Sequence, residues 1–193
     1  MVEEDVLENI AKLQEDYYGK NQKNVFFKNS QKMECANMIT ANIDKNILFS
    51  KTLFLIPEKN IIYFDYTVFK TYMTPEIFDD FLIYEFQLTH DWVESLEYYE
   101  LHINVQSLSI SAFERYRGFL EKIMNRYPPI CPTSVKMSKL HVYYTPNIIE
   151  QILKFLAPFI QHIRDKLVFY SKVDSPNQLS QLFYTSEQTV KTV

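Results

Sequence analysis

The stretch from Glu100 to Ser171 decides the fold. Its pieces are ELHINVQS (Glu100–Ser107), SAFERYRGFLEKIM (Ser111–Met124), KLHVYY (Lys139–Tyr144), IIEQILKFLAPFIQHI (Ile148–Ile163) and KLVFYS (Lys166–Ser171). The first alternates, with Leu101, Ile103 and Val105 facing one way and His102, Asn104 and Gln106 the other, which predicts a strand with one polar face. In the second, Ser111 and Glu114 form a capping box S-x-x-E. It opens a helix carrying Phe113, Tyr116, Phe119, Leu120, Ile123 and Met124, which ends before Tyr127-Pro128-Pro129. A strand follows, then a helix starting at Thr145-Pro146-Asn147 with dense apolar positions and a bend expected at Pro158, and then a last strand. Strand, helix, strand, helix, strand makes two βαβ units, which require parallel pairing and right-handed crossovers. The fold class is α/β, a mostly parallel sheet with flanking helices.

Towards the N-terminus, ILFSKTLFLIP (Ile47–Pro57) and NIIYFDYTVF (Asn60–Phe69) are rich in β-branched and aromatic residues and predict two strands joined by a hairpin turn at Pro57–Asn60. Thr74-Pro75-Glu76 then announces a helix with a threonine cap and proline in its first turn, and Ile77, Phe78, Phe81, Leu82 and Phe86 form its core face. Val6, Leu7, Ile10, Ala11 and Leu13 give a helix over Glu3–Tyr18 with Gly19 as its stop. After Ser30, the spacing of Met33, Ala36, Met38, Ile39 and Ile43 predicts a second, weaker helix without marked ends. Residues 1–44 thus form a short helical segment packed on an α/β domain of residues 45–185, whose polar helical ending spans Pro176–Phe183. A flexible tail, 186–193, follows.

Composition narrows the function. The chain has 193 residues, 47% hydrophobic and 16% aromatic, but only 2 glycines. Gly19 and Gly118 are too far apart to share a loop, so no G-x-G-x-x-G turn, P-loop or G-x-S-x-G elbow exists. The net charge of −4, with 20 basic and 24 acidic residues intermixed, offers no basic field for nucleic acid. Cys35 and Cys131 form no zinc spacing, and the acidic start MVEEDVLENI is no secretory signal, which points to free thiols and a cytoplasmic protein. No apolar run approaches the roughly 20 residues that cross a bilayer, so any membrane contact is peripheral.

The second half resembles the CRAL-TRIO lipid-binding family, carried by SKLHVYYTPNIIEQILKFLAPFIQHIRDKLVFYS (Ser138–Ser171). In it a strand ending in a small residue and proline leads to a long helix, then Ala157-Pro158-Phe159-Ile160, then a Lys-aliphatic-aromatic strand at Lys166–Tyr170. TPEIFDDFLIYEF (Thr74–Phe86) and NRYPP (Asn125–Pro129) resemble the family's earlier helix and its Tyr-Pro turn. The ending SKVDSPNQLSQLF is more similar to the family's BCH-like branch, several members of which are protein scaffolds. The sequence departs from the family in lacking its glycines before the first strand, after the central strand and near the gate helix. Pro129 also replaces the glutamate of the phosphatidylinositol site, while Lys166 is kept. The resemblance implies a CRAL-TRIO-like module that binds a hydrophobic ligand, a lipid, in a cavity between sheet and gate helix, with lipid transfer as the family role. The alternative is a protein-interaction scaffold with a filled cavity, a structural component of a larger assembly.

Five residues are expected at a ligand site. Lys166 either holds a phosphate at the cavity mouth or is a strand-end lysine in solvent. His102, Asn104, His141 and Tyr143 form a polar patch on one face of neighbouring strands. A metal needs at least three convergent ligands, and only His102 and His141 have any spacing logic, so cavity-lining histidines without a metal or other cofactor are expected. His90-Asp91 has no supporting histidine cluster, and neither cysteine lies beside a histidine. The expectation is a non-catalytic protein with a lipid ligand or a protein partner.

Overall fold

The structure is a computed structural model, and it describes residues 4–21, 26–126 and 135–183. The expected turn at Tyr127–Pro129, Cys131 and the tail 186–193 lie outside the described residues.

Helix α1 (Glu4–Lys20) packs on α2 (Lys28–Asn42). Gly19 is not the stop expected of it: α1 continues through it to Lys20, and neither glycine takes the left-handed conformation that ends helices. Residues Ile47–Thr52 are also not strand. Helix α3 (Lys45–Thr52) starts at Asp44, whose carboxylate accepts from the Asn46 amide at 2.8 Å, and Leu48, Phe49 and Thr52 sit on one buried face. Strand β1 is therefore only Leu53–Ile56. The Pro57–Asn60 turn holds as a single 3-10 turn closed by Asn60 at φ 54°, and β1 pairs antiparallel with β2 (Ile61–Asp65).

Residues Tyr66–Phe69, expected in the second strand, are helical for the same reason as α3. Asp65 accepts from the Thr67 amide at 2.7 Å and starts α4 (Tyr66–Tyr72), which buries Tyr66, Val68, Phe69 and Tyr72. Thr74 makes no side-chain cap on the backbone. A 3-10 turn (Pro75–Ile77) comes first, then α5 (Phe78–Ser95). Strand β3 is Tyr99–Asn104. The next helix is capped two residues earlier than expected, by Ser109 accepting from Ala112, and it breaks at Tyr116 into α6 (Ile110–Arg115) and α7 (Arg117–Arg126). Strand β4 (Met137–Tyr143), α8 (Ile149–Ile160), a 3-10 segment (Gln161–Lys166), β5 (Leu167–Phe169) and α9 (Ser175–Phe183) complete the order. Helix α8 gives way two residues after Pro158, whose missing N–H leaves the helix ladder incomplete.

The fold is α/β. Its five strands lie in the order β1-β2-β3-β4-β5, antiparallel between β1 and β2 and parallel thereafter. One sheet face is apolar. Leu53, Leu55, Ile62, Phe64, Leu101 and Leu140 join the main core with residues of α1 through α7, so the N-terminal helices share this core. Between helices and sheet the core is filled by aromatic rings. Phe69 has ring centroids of Phe119, Tyr116, Phe64 and Phe81 at 4.9, 5.1, 5.4 and 5.7 Å. The opposite face carries a small cluster at its β1–β2 end, where Ile61 and Tyr63 pack with Leu182 of α9. Beyond that cluster it is polar. Helix α8 was expected to be heavily buried, but only Ile152 is, and Ile149, Leu153 and Leu156 are half-exposed. No helix among the described residues is long and apolar enough to cross a membrane.

Candidate functional site

Register builds the polar face. Glu100, His102 and Asn104 of β3 stand beside Lys139, His141 and Tyr143 of β4, because strand side chains alternate and parallel pairing sets equivalent residues side by side. The His102 and His141 rings stack with centroids 4.2 Å apart at 14°. Tyr143 and Tyr170 stack beyond them at 4.9 Å and 7°. Each imidazole has a hydroxyl at one nitrogen: Tyr143 lies 2.7 Å from His102 Nδ1 and Tyr170 lies 2.9 Å from His141 Nδ1. Both Nε2 atoms lie 3.2 Å from the same oxygen, Glu100 Oε2. For His102 this contact is a hydrogen bond. His141 Nε2 is buried and makes no well-aligned hydrogen bond among the described residues despite that proximity.

Burial governs the ionisation of this group. His102 is pushed down to about 4, first by burial and then by the neighbouring His141, with Glu100 pulling the other way. His141 is lowered as well, chiefly by burial. Both rings are therefore neutral near pH 7. Each then has one N–H and one acceptor nitrogen, and the tyrosine hydroxyls and the carboxylate are the groups that select between the tautomers.

The structure thus brings His102, His141 and Tyr143 together as expected, and adds Glu100 and Tyr170, which sequence reading missed. Glu100 was accessible to it, since it stands two residues before His102 and shares its strand face. Asn104 lies on the same face but is occupied at the end of β3: its Nδ2 donates to Asp65 Oδ2 at 3.3 Å and its Oδ1 accepts from the Gln106 amide at 3.0 Å. Lys166 is at the other end of β4 from Tyr143, where its Nζ donates to the Met137 carbonyl at 2.7 Å.

A second feature lies at the carboxyl ends of β2 and β3, the edge where parallel α/β sheets place their ligands. It is a cleft of about 260 Å³ whose lining includes Lys32, Lys70, Arg115, Thr71, Ser107 and Ser109, and no carboxylate among the described residues. Lys70 Nζ donates to Ser107 Oγ, and Ser107 holds a left-handed backbone, φ 65°, where glycine is usual. Arg115 donates through Nη2 to Asn29 Oδ1 at 3.0 Å, but its Nε is buried with no hydrogen-bond partner among the described residues. Lys32 is lowered from the ordinary lysine value by burial, then by Arg115, Lys28 and Lys70. Lys70 is lowered by burial and partly restored by Asp65. These cations come from α2, α4 and α6, so no local motif announces them.

In comparisons with protein-family models, with curated proteins and with solved structures, the chain has no significant match.

Proposed function

We propose that the protein is a non-catalytic binding module whose ligand is an anionic amphiphile, with its charged head in the Lys32–Lys70–Arg115 cleft. One observation carries this reading. Three cations with no acidic lining residue among the described residues converge in a protein whose net charge is −4. Such a group stabilises a bound anion by Coulomb attraction, and a phosphate or carboxylate would also supply the missing acceptor for Arg115 Nε. The hydroxyls of Ser109 and Thr71 add neutral donors to the same cleft.

The apolar part of the ligand has its support at α8, a helix with a strong apolar stripe left half-exposed. Its Phe155 packs edge-on against Phe113 of α6, whose neighbours Ala112 and Arg115 line the cleft. This reading keeps the hydrophobic ligand of a CRAL-TRIO-like module but moves the headgroup away from Lys166.

Vesicle co-sedimentation tests it. The chain is expected to bind phosphatidylcholine vesicles containing phosphatidic acid more tightly than phosphatidylcholine alone. Lys70→Gln and Arg115→Gln should each weaken that binding by about fivefold, the equivalent of about 1 kcal/mol per cation at an anionic surface. Lys166→Ala should leave it unchanged. Equal binding to both vesicles, or a loss confined to Lys166→Ala, refutes the cleft as the headgroup site.

A further inference from the structure

We propose that Glu100, His102 and His141 form a binding site for a divalent transition ion of zinc type. It is independent of the anionic cleft and stands on three observations. The donor atoms Glu100 Oε2, His102 Nε2 and His141 Nε2 all lie within 4.8 Å of one another, and the carboxylate oxygen is 3.2 Å from each nitrogen. Ligands bound at 2.0–2.2 Å in tetrahedral geometry are separated by about 3.3 Å, so the two oxygen–nitrogen edges already have the required length. Second, His141 is 7% exposed and its Nε2 is aimed at the cluster without a satisfying hydrogen bond, a position that an ion would fill. Third, each imidazole has a partner at its remote nitrogen. A histidine that ligates metal through Nε2 carries its proton on Nδ1 and donates it outward, and the Tyr143 and Tyr170 oxygens are placed to accept.

The chemistry selects the ion. Two imidazoles and a carboxylate suit zinc and its neighbours in the transition series, whereas calcium and magnesium demand oxygen donors. The nearly parallel rings must each rotate about Cβ–Cγ to tip their lone pairs towards a shared ion. A ring whose proton sits on Nε2 must carry it on Nδ1 instead before Nε2 can ligate. Three protein donors leave the fourth tetrahedral position to water or an exogenous ligand. Solvent reaches the site on the Glu100 side, where the side chain is 27% exposed against 5% and 9% for His102 and His141.

The test titrates the full, untagged chain with zinc by calorimetry and with cobalt(II) by visible absorption. The expected result is saturation at a single equivalent, with cobalt showing the intense bands of a tetrahedral centre and zinc displacing it. Glu100→Gln should weaken zinc binding by at least about 100-fold, and Tyr170→Phe, which removes only a hydroxyl beside Nδ1, by about tenfold. His90→Ala, on the surface of α5, should change nothing. Far-UV circular dichroism establishes that each variant is folded, and Tyr170→Phe keeps the test decisive if Glu100→Gln is not. Absence of saturable binding by the unaltered chain overturns the proposal. So does an octahedral cobalt spectrum, or a loss that follows His90→Ala in place of Glu100→Gln and Tyr170→Phe.

Discussion

Replacing Phe69 with alanine measures whether the space between the helices and the apolar sheet face is filled. Phe69 is 2% exposed and lies among the rings of Phe64, Phe81, Tyr116 and Phe119. Burying a phenylalanine stabilises by about 1.5–3 kcal/mol from transfer alone. The void left by truncation and the lost ring contacts raise the total to about 3–5 kcal/mol when neighbours cannot collapse inward. Here the neighbours sit on β2, α5, the break between α6 and α7, and α7, rigid elements that cannot all close on one point, so about 4 kcal/mol is expected. That is a large part of the roughly 5–15 kcal/mol that holds a domain of ordinary stability. The assay is urea unfolding followed by fluorescence and circular dichroism, with the half-exposed Ile83→Ala as the surface control, expected within about 0.5 kcal/mol. The ring-lined void should stay dry and admit benzene, which would raise the variant's unfolding midpoint. A loss below about 1.5 kcal/mol would refute the reasoning, because it would mean that this interior has slack, as a ligand cavity does.

Two further outcomes follow from the same packing. The Tyr72 hydroxyl meets Thr52 Oγ1 at 2.7 Å while Thr52 donates to the Leu48 carbonyl at 3.0 Å, so Thr52→Val orphans a buried donor and Tyr72→Phe does not. A double-mutant cycle by chemical denaturation should show Thr52→Val costing about 1–3 kcal/mol, Tyr72→Phe about 1 kcal/mol, and the pair together less than their sum. Burial also raises Tyr63, Tyr66 and Tyr72 above the ordinary phenol value. The folded chain therefore keeps protons that the unfolded chain releases, and this stabilisation, complete below about pH 10, should decline as pH rises through the folded values. Unfolding midpoints that stay level above pH 10 would contradict this.

The sheet's second half was legible because its physics is local. Period-two alternation at Leu101–Asn104 and the helical spacing of apolar residues over Ile149–Ile160 needed no tertiary information, and parallel pairing put His102 beside His141 from face parity alone. The misreadings at Ile47–Thr52 and Tyr66–Phe69 share a cause. Aromatic and β-branched residues there suggested strand, but Asp44 and Asp65 cap helices whose buried faces fit the core, and capping with packing outweighed propensity. The Ser111 box failed because Ser109, two residues upstream, has the cap geometry. Lys32, Lys70 and Arg115 are 38 and 45 residues apart along the chain, and only the fold brings them to one cleft. Tyr170 was likewise beyond reach, since its hydroxyl meets His141 from just past the short strand β5.

The strand order has a consequence for how this protein is made. Each strand pairs with the one synthesised just before it, so no strand waits for a distant segment to emerge from the ribosome. The hairpin of β1 and β2 can form as soon as Asp65 is out, and every later strand docks on an edge that already exists. Pairing that follows chain order lets the sheet grow in the order in which its strands are synthesised. In such a scheme the bare edge passes from β2 to β3 to β4 and stops at β5, a three-residue strand too short to recruit another chain.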